Sequence, residues 1–118
     1  MVTQTPTAVN LSLNESNAVH EFLFRVRGAN GDKIERAILF GSKARGDSSV
    51  YSDIDILLIV TDDDWKFQKA ITEIGSDISL EFDLLLDIRI LSVGQWQYLT
   101  DIRAGLYQNI MRDAVPLE

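Results

Sequence analysis

The segment Ile54-Asp55-Ile56-Leu57-Leu58-Ile59-Val60 admits few structural settings. In an extended chain its apolar residues fall on both faces, Ile54, Ile56, Leu58 and Val60 on one and Leu57 and Ile59 on the other. A strand buried on both sides needs a cover on each, so the chain must place helices around a sheet. Two carboxylates stand at the mouth of this strand. Asp53 and Asp55 share a face about 6.5–7 Å apart along the backbone. Like charges there repel and lose hydration. A divalent cation removes both problems, and carboxylate oxygens are the hard ligands that Mg²⁺ prefers.

A second apolar run, Ala37-Ile38-Leu39-Phe40, leads into Gly41-Ser42-Lys43-Ala44-Arg45-Gly46. Gly41 can adopt backbone angles closed to other residues and lets a phosphate approach the main chain. Ser42 supplies a hydroxyl and, where a short helix begins, the positive end of its dipole. Lys43 and Arg45 add positive charge. A turn suited to phosphate followed by a carboxylate pair suited to a metal predicts a nucleotide-handling site.

Gly-Ser, ten residues, then Asp-x-Asp resembles the signature of the polymerase-beta-like nucleotidyltransferase superfamily. The longer strings Leu39-Phe40-Gly41-Ser42-Lys43-Ala44-Arg45-Gly46 and Ser52-Asp53-Ile54-Asp55-Ile56-Leu57 resemble its minimal nucleotidyltransferase branch. Members of that branch are often encoded beside a helical HEPN-domain protein, and some such pairs are toxin–antitoxin systems. The resemblance implies transfer of a nucleoside monophosphate, AMP from ATP, with two Mg²⁺ ions. The implied acceptor is a hydroxyl, such as a tyrosine of a HEPN toxin partner. It also implies a third carboxylate on a later strand. Alternation across 78–87 puts Ser79, Glu81, Asp83, Leu85 and Asp87 on one face, and Asp83 before Leu84-Leu85 resembles the family's third acid. Glu81 is the alternative, and Asp87 is expected at the strand's exit. Catalytic and metal-binding roles are thus expected for Asp53, Asp55 and Asp83, and nucleotide binding for Gly41, Ser42, Lys43 and Arg45. Two other functions compete: an antitoxin that neutralises its partner by docking alone, and modification of a small molecule such as an aminoglycoside. Larger superfamily members add a helical domain that shapes the acceptor pocket. The 118 residues leave no room for one, so the acceptor or a second subunit is expected to complete the site.

Charge narrows the partners. Eleven basic against 18 acidic residues, net −7, argue against a broad grip on a nucleic-acid backbone, and no direct nucleic-acid binding is expected. A nucleotide arriving with Mg²⁺ is compatible, because the metal brings its own charge. With no cysteine there are no disulfides or thiolate metal sites. No apolar run approaches the roughly 20 residues of a membrane span, and the N-terminus lacks signal-peptide features, so a cytoplasmic setting is expected.

The expected fold is one α/β (α+β) domain over 1–118, with 1–10 loose and a short mixed sheet of three to four strands flanked by helices. Ser12 with Glu15 resembles a capping box opening a first helix that Gly28-Ala29-Asn30-Gly31 ends. Strands are expected near 33–40, 53–61 and 78–87. A helix is expected over 63–75, opened by Asp62-Asp63-Asp64 and closed by Gly75, with one or two more over 93–113. His20, the only histidine, reads as structural. Trp65 and Trp96 read as core or partner-facing packing.

Overall fold

The computed structural model describes residues 10–46, 53–61 and 64–117. Among the described residues, four strands form one mixed sheet: β1 (Ile34–Phe40), β2 (Ile54–Val60), β3 (Leu86–Ser92) and β4 (Val115–Pro116), in the spatial order β3-β2-β1-β4. β1 is antiparallel to both β2 and β4, whereas β2 and β3 are parallel. Parallel neighbours need a long crossover, and a helix fills it. The helices are α1 (Leu13–Asn30), α2 (Ser42–Arg45), α3 (Trp65–Phe82), α4 (Val93–Asp101) and α5 (Gly105–Asp113). The expected mixed sheet flanked by helices is therefore what the chain forms. No described helix is long and apolar enough to cross a membrane.

The period-two pattern of β2 sorts the two cores. Ile54, Ile56, Leu58 and Val60 pack with Val19, Phe22 and Val26 of α1 and Phe67, Ile71 and Ile78 of α3. Leu57 and Ile59 point the other way, onto Ile38, Phe40 and Ile110, with Trp96 and Leu106 closing over them. Trp96 also stacks at a tilt on Tyr107, 5.5 Å between ring centres, whereas Trp65 is largely exposed. The capping box at α1 is formed: Ser12 N donates to Glu15 Oε1 (2.9 Å) and Glu15 N to Ser12 Oγ (3.1 Å). Asp64 caps α3 by accepting from Lys66 N, while Asp62 and Asp63 lie outside the described residues.

The chain departs from expectation between 75 and 87. Helix α3 runs through Gly75 to Phe82, and β3 begins only at Leu86. Both periods fit the sequence here, and packing decides between them. Ile78 is fully buried while Leu80 is 82% exposed, so the two do not share a face as they would in a strand. Gly75 belongs inside the helix because α3 lies close on the sheet: a Cβ there would sit 3.1 Å from Ile88 Cγ1. Asp83 ends the helix in the left-handed conformation (φ 54°), its N–H donating to Ser79 O. Aspartate tolerates that region better than most residues.

Candidate active site

The turn after β1 places the first part of the site. Gly41 has φ 78°, and a Cβ on it would lie 2.2 Å from Asp55 Oδ2. Only glycine lets the turn pass this close to the carboxylate. The amides of Ala44 and Arg45 both return to Gly41 O, closing the short helix α2 and leaving Ser42 at its opening.

The antiparallel register sets Phe40 beside Asp55, and the parallel register sets Asp87 beside Asp55. Burial and Asp87 together push the Asp55 carboxyl up to about 6: desolvation is the largest cause, then a hydrogen bond donated to Asp87, then the charges of Asp87 and Asp53. Arg89, two residues beyond Asp87 on the same strand, pulls in the opposite direction. Asp53 is exposed, one residue before β2.

Three expected site residues sit differently from expectation. Asp83 is exposed at the end of α3 and is not among the charges acting on Asp55. Glu81, its alternative, lies on α3, where both its oxygens accept from Arg25 at 2.8 Å. The carboxylate that meets Asp55 is Asp87, placed in the sequence reading at a strand exit but found one residue inside a strand's start. Lys43 is buried, and its Nζ donates to Glu15 Oε2 at 2.6 Å. Arg45 reaches α5, donating to Asp113 Oδ2 at 2.8 Å. Both cations of the turn thus brace it against neighbouring helices. Arg89 is the cation the sequence reading missed. The signal available for it was the two-residue spacing from Asp87, which puts both on one face.

The brace has an energetic consequence. Burial alone would raise the Glu15 carboxyl, but the bonds from Lys43 and Ser12 hold it below the usual carboxylate range. Glu15→Gln removes the carboxylate facing a buried ammonium. Such a loss costs about 3–5 kcal/mol, and replacing both charges by apolar groups recovers most of it. Urea unfolding should therefore rank the wild type and the Glu15→Met/Lys43→Met double variant close together, with Glu15→Gln well below.

The donors around Asp55 suit a hard cation, all being carboxylate oxygens. Among the described residues, no three His, Cys, Asp or Glu side chains gather tightly enough to cage an ion alone. A partial set fits Mg²⁺, which binds through one or two carboxylates and keeps waters and substrate phosphates for the rest of its octahedron.

Comparison with known proteins decides the family. The family model described as polymerase beta, nucleotidyltransferase matches residues 28–106, from the end of α1 to the first two residues of α5. The chain belongs to that family. Among curated sequences it resembles two of Methanocaldococcus jannaschii named "Putative protein adenylyltransferase", MJ0141 and MJ0604. Identity to MJ0141 is 45% over 56 residues, 47% of this chain and 57% of that one. Identity to MJ0604 is 45% over 47 residues, 40% of this chain and 47% of that one. The chain thus spans about half the length of the curated relatives it matches. Among solved structures, a nucleotidyltransferase-type protein of Sulfolobus solfataricus superposes with a TM-score of 0.55 at 21% identity, covering 98% of this chain and 90% of that one. A crystal structure of a toxin–antitoxin with AMP-PNP superposes with a TM-score of 0.52 at 20% identity, covering 83% and 71%. At such identities these two likenesses establish the nucleotidyltransferase fold.

Proposed function

We propose that this protein transfers AMP from ATP to a hydroxyl side chain of a partner protein and that the transfer silences the partner. The observation that carries the reading is the Asp55–Asp87 carboxyl pair, set in register across parallel strands beside the Gly41–Ser42 turn. Family membership and the names of the matched relatives support the reaction class. The motif resemblance favours a HEPN-domain toxin as partner, and the fold shared with a toxin–antitoxin structure accords with it.

Asp53, Asp55 and Asp87 would hold Mg²⁺, which when bound neutralises phosphate charge and offsets the carboxylates' mutual repulsion. In this reading the Ser42 hydroxyl and the opening amide of α2 hold the outer phosphates, and Arg89 supplies the positive charge first expected of Lys43 and Arg45. The acceptor oxygen forms a bond to the α-phosphorus. The bond from that phosphorus to the bridging oxygen breaks, and pyrophosphate leaves with the electron pair. Asp87 takes the acceptor's proton. Asp83, expected as the third acid, has no part in this scheme.

The test is label transfer from α-phosphate-labelled ATP with Mg²⁺, with and without the product of the neighbouring gene. Label should appear on that partner with the wild type and be absent with Asp53→Ala/Asp55→Ala. Tight partner binding with no label in any lane would instead support neutralisation by docking.

A further inference from the structure

Strand β3 ends the sheet on one side, and among the described residues no strand pairs with its outer edge. A cleft of about 500 Å³ runs along it, lined by Thr72, Ser76 and Leu80 of α3 and by Leu85, Asp87 and Ile88. Leu85, Leu86, Asp87 and Ile88 are consecutive, and all four line it. A cleft on one face of a strand would meet alternate residues only, so this one views β3 edge-on. Helix α3 overhangs that edge. Resting on the reading of Asp55 and Asp87 as a transfer site, we infer that the cleft is the acceptor site and that the acceptor enters as an extended peptide, adding a fifth strand beside β3.

Three observations select a peptide. First, the edge offers main-chain groups that only another backbone matches in series. The Leu85 carbonyl faces β2, accepting from Ile54 N at 3.0 Å. Leu86, the next residue, faces outward, where its N–H donates to Ser79 Oγ at 3.1 Å. That amide is already taken, so the groups an added strand would meet are those of Ile88 and Ile90, whose amides turn outward by the same alternation. Second, Leu80 of α3 is 82% exposed at the cleft, so an apolar anchor is already in place for side chains lying under α3, while Leu85, 55% exposed, lies by alternation on the face of Asp87. Third, an added strand points alternate side chains to opposite faces. Anchors under α3 share the face of Ile88, and the residue between them shares the face of Asp87 and Asp55. A hydroxyl residue flanked on both sides by apolar residues is therefore delivered to the carboxylates. The chain's net charge of −7 favours lysine or arginine further out in such a segment.

The experiment uses α-phosphate-labelled ATP, Mg²⁺ and a library of lysine-flanked decapeptides with tyrosine, serine or threonine at the centre. Labelled peptides should be enriched in apolar residues at −1 and +1. N-methylation of the peptide backbone should abolish labelling at every second position only, the signature of strand pairing. Leu80→Arg and Ser76→Arg, both at exposed positions, should each lower kcat/KM for the peptide at least tenfold while leaving KM for ATP unchanged. Peptide labelling that ignores N-methylation, or that both variants match, overturns the inference. So does labelling confined to a small hydroxylated acceptor such as an aminoglycoside, which leaves nucleotidyl transfer standing. No label on any acceptor overturns both.

Discussion

Asp87→Asn should abolish nucleotidyl transfer, by about 1,000-fold or more, while Asp83→Asn should leave it within about twofold. The first substitution removes the carboxylate in register with Asp55. The second alters an exposed residue at the end of α3. Steady-state label transfer with the two variants side by side decides which acid serves the site, and inactivity of Asp83→Asn with a fully active Asp87→Asn would reverse the assignment. The same variant should also change stability in a definite direction. The Asp55 carboxyl titrates near 6 in the folded metal-free protein, above its ordinary value of 3.8. The folded state therefore binds more protons than the unfolded state between about pH 4 and 6, so stability falls as pH rises through that window and stays flat above it. Burial is the largest cause of the shift, and Asp87→Asn leaves it in place while removing the neighbouring carboxylate's charge. Above pH 6 the metal-free variant should be more stable than wild type by about 1 kcal/mol, since solvent screens a half-exposed pair. Thermal melts at pH 4.5 and 7.5 in EDTA would read the difference. A variant less stable than wild type at pH 7.5 would contradict it.

Among Gly28, Gly41, Gly46, Gly75, Gly94 and Gly105, Gly41 should be the one where an added methyl group does most damage. The position has φ 78°, which costs a non-glycine residue of order 1–3 kcal/mol. The new Cβ would also collide with Asp55 Oδ2. Either Asp55 swings away from Asp87 or the turn moves, and both separate the Gly41–Ser42 turn from the carboxylates. Transfer should fall at least 100-fold, with a lower melting temperature and weaker Mg²⁺-ATP binding by calorimetry. Gly28→Ala is the matched control, because nothing lies within 4 Å of its added Cβ. Equal activity in the two variants would show that the close approach at Gly41 has no role.

These predictions also mark where the sequence was legible. The split of β2 between two cores, the capping box at Ser12 and a glycine turn directly after β1 all follow from local pattern. The carboxylate in register with Asp55 did not, because 78–86 carries two periods at once. Its alternate apolar residues satisfy a strand, while Phe67, Ile71, Ile74 and Ile78 continue a helical stripe. The arbiter is a contact remote in sequence, the fit of Gly75 against Ile88 and Phe22. Once the helix is extended, Asp83 is drawn into its end and Asp87 moves into register with Asp55. The fate of Lys43 was hidden for a related reason. Its partner, Glu15, lies 28 positions earlier, and local pattern does not reveal which way a turn cation will point.

The two borders of the sheet are unequal. One is closed by a strand of two residues carrying Pro116, too short and too poor in donors to recruit another chain. The other is seven residues long and rich in isoleucine and leucine. Two copies joined along that long border would each occupy the lane the other would offer to an acceptor. Specific activity would then decline as enzyme concentration rises, and dilution alone would restore it.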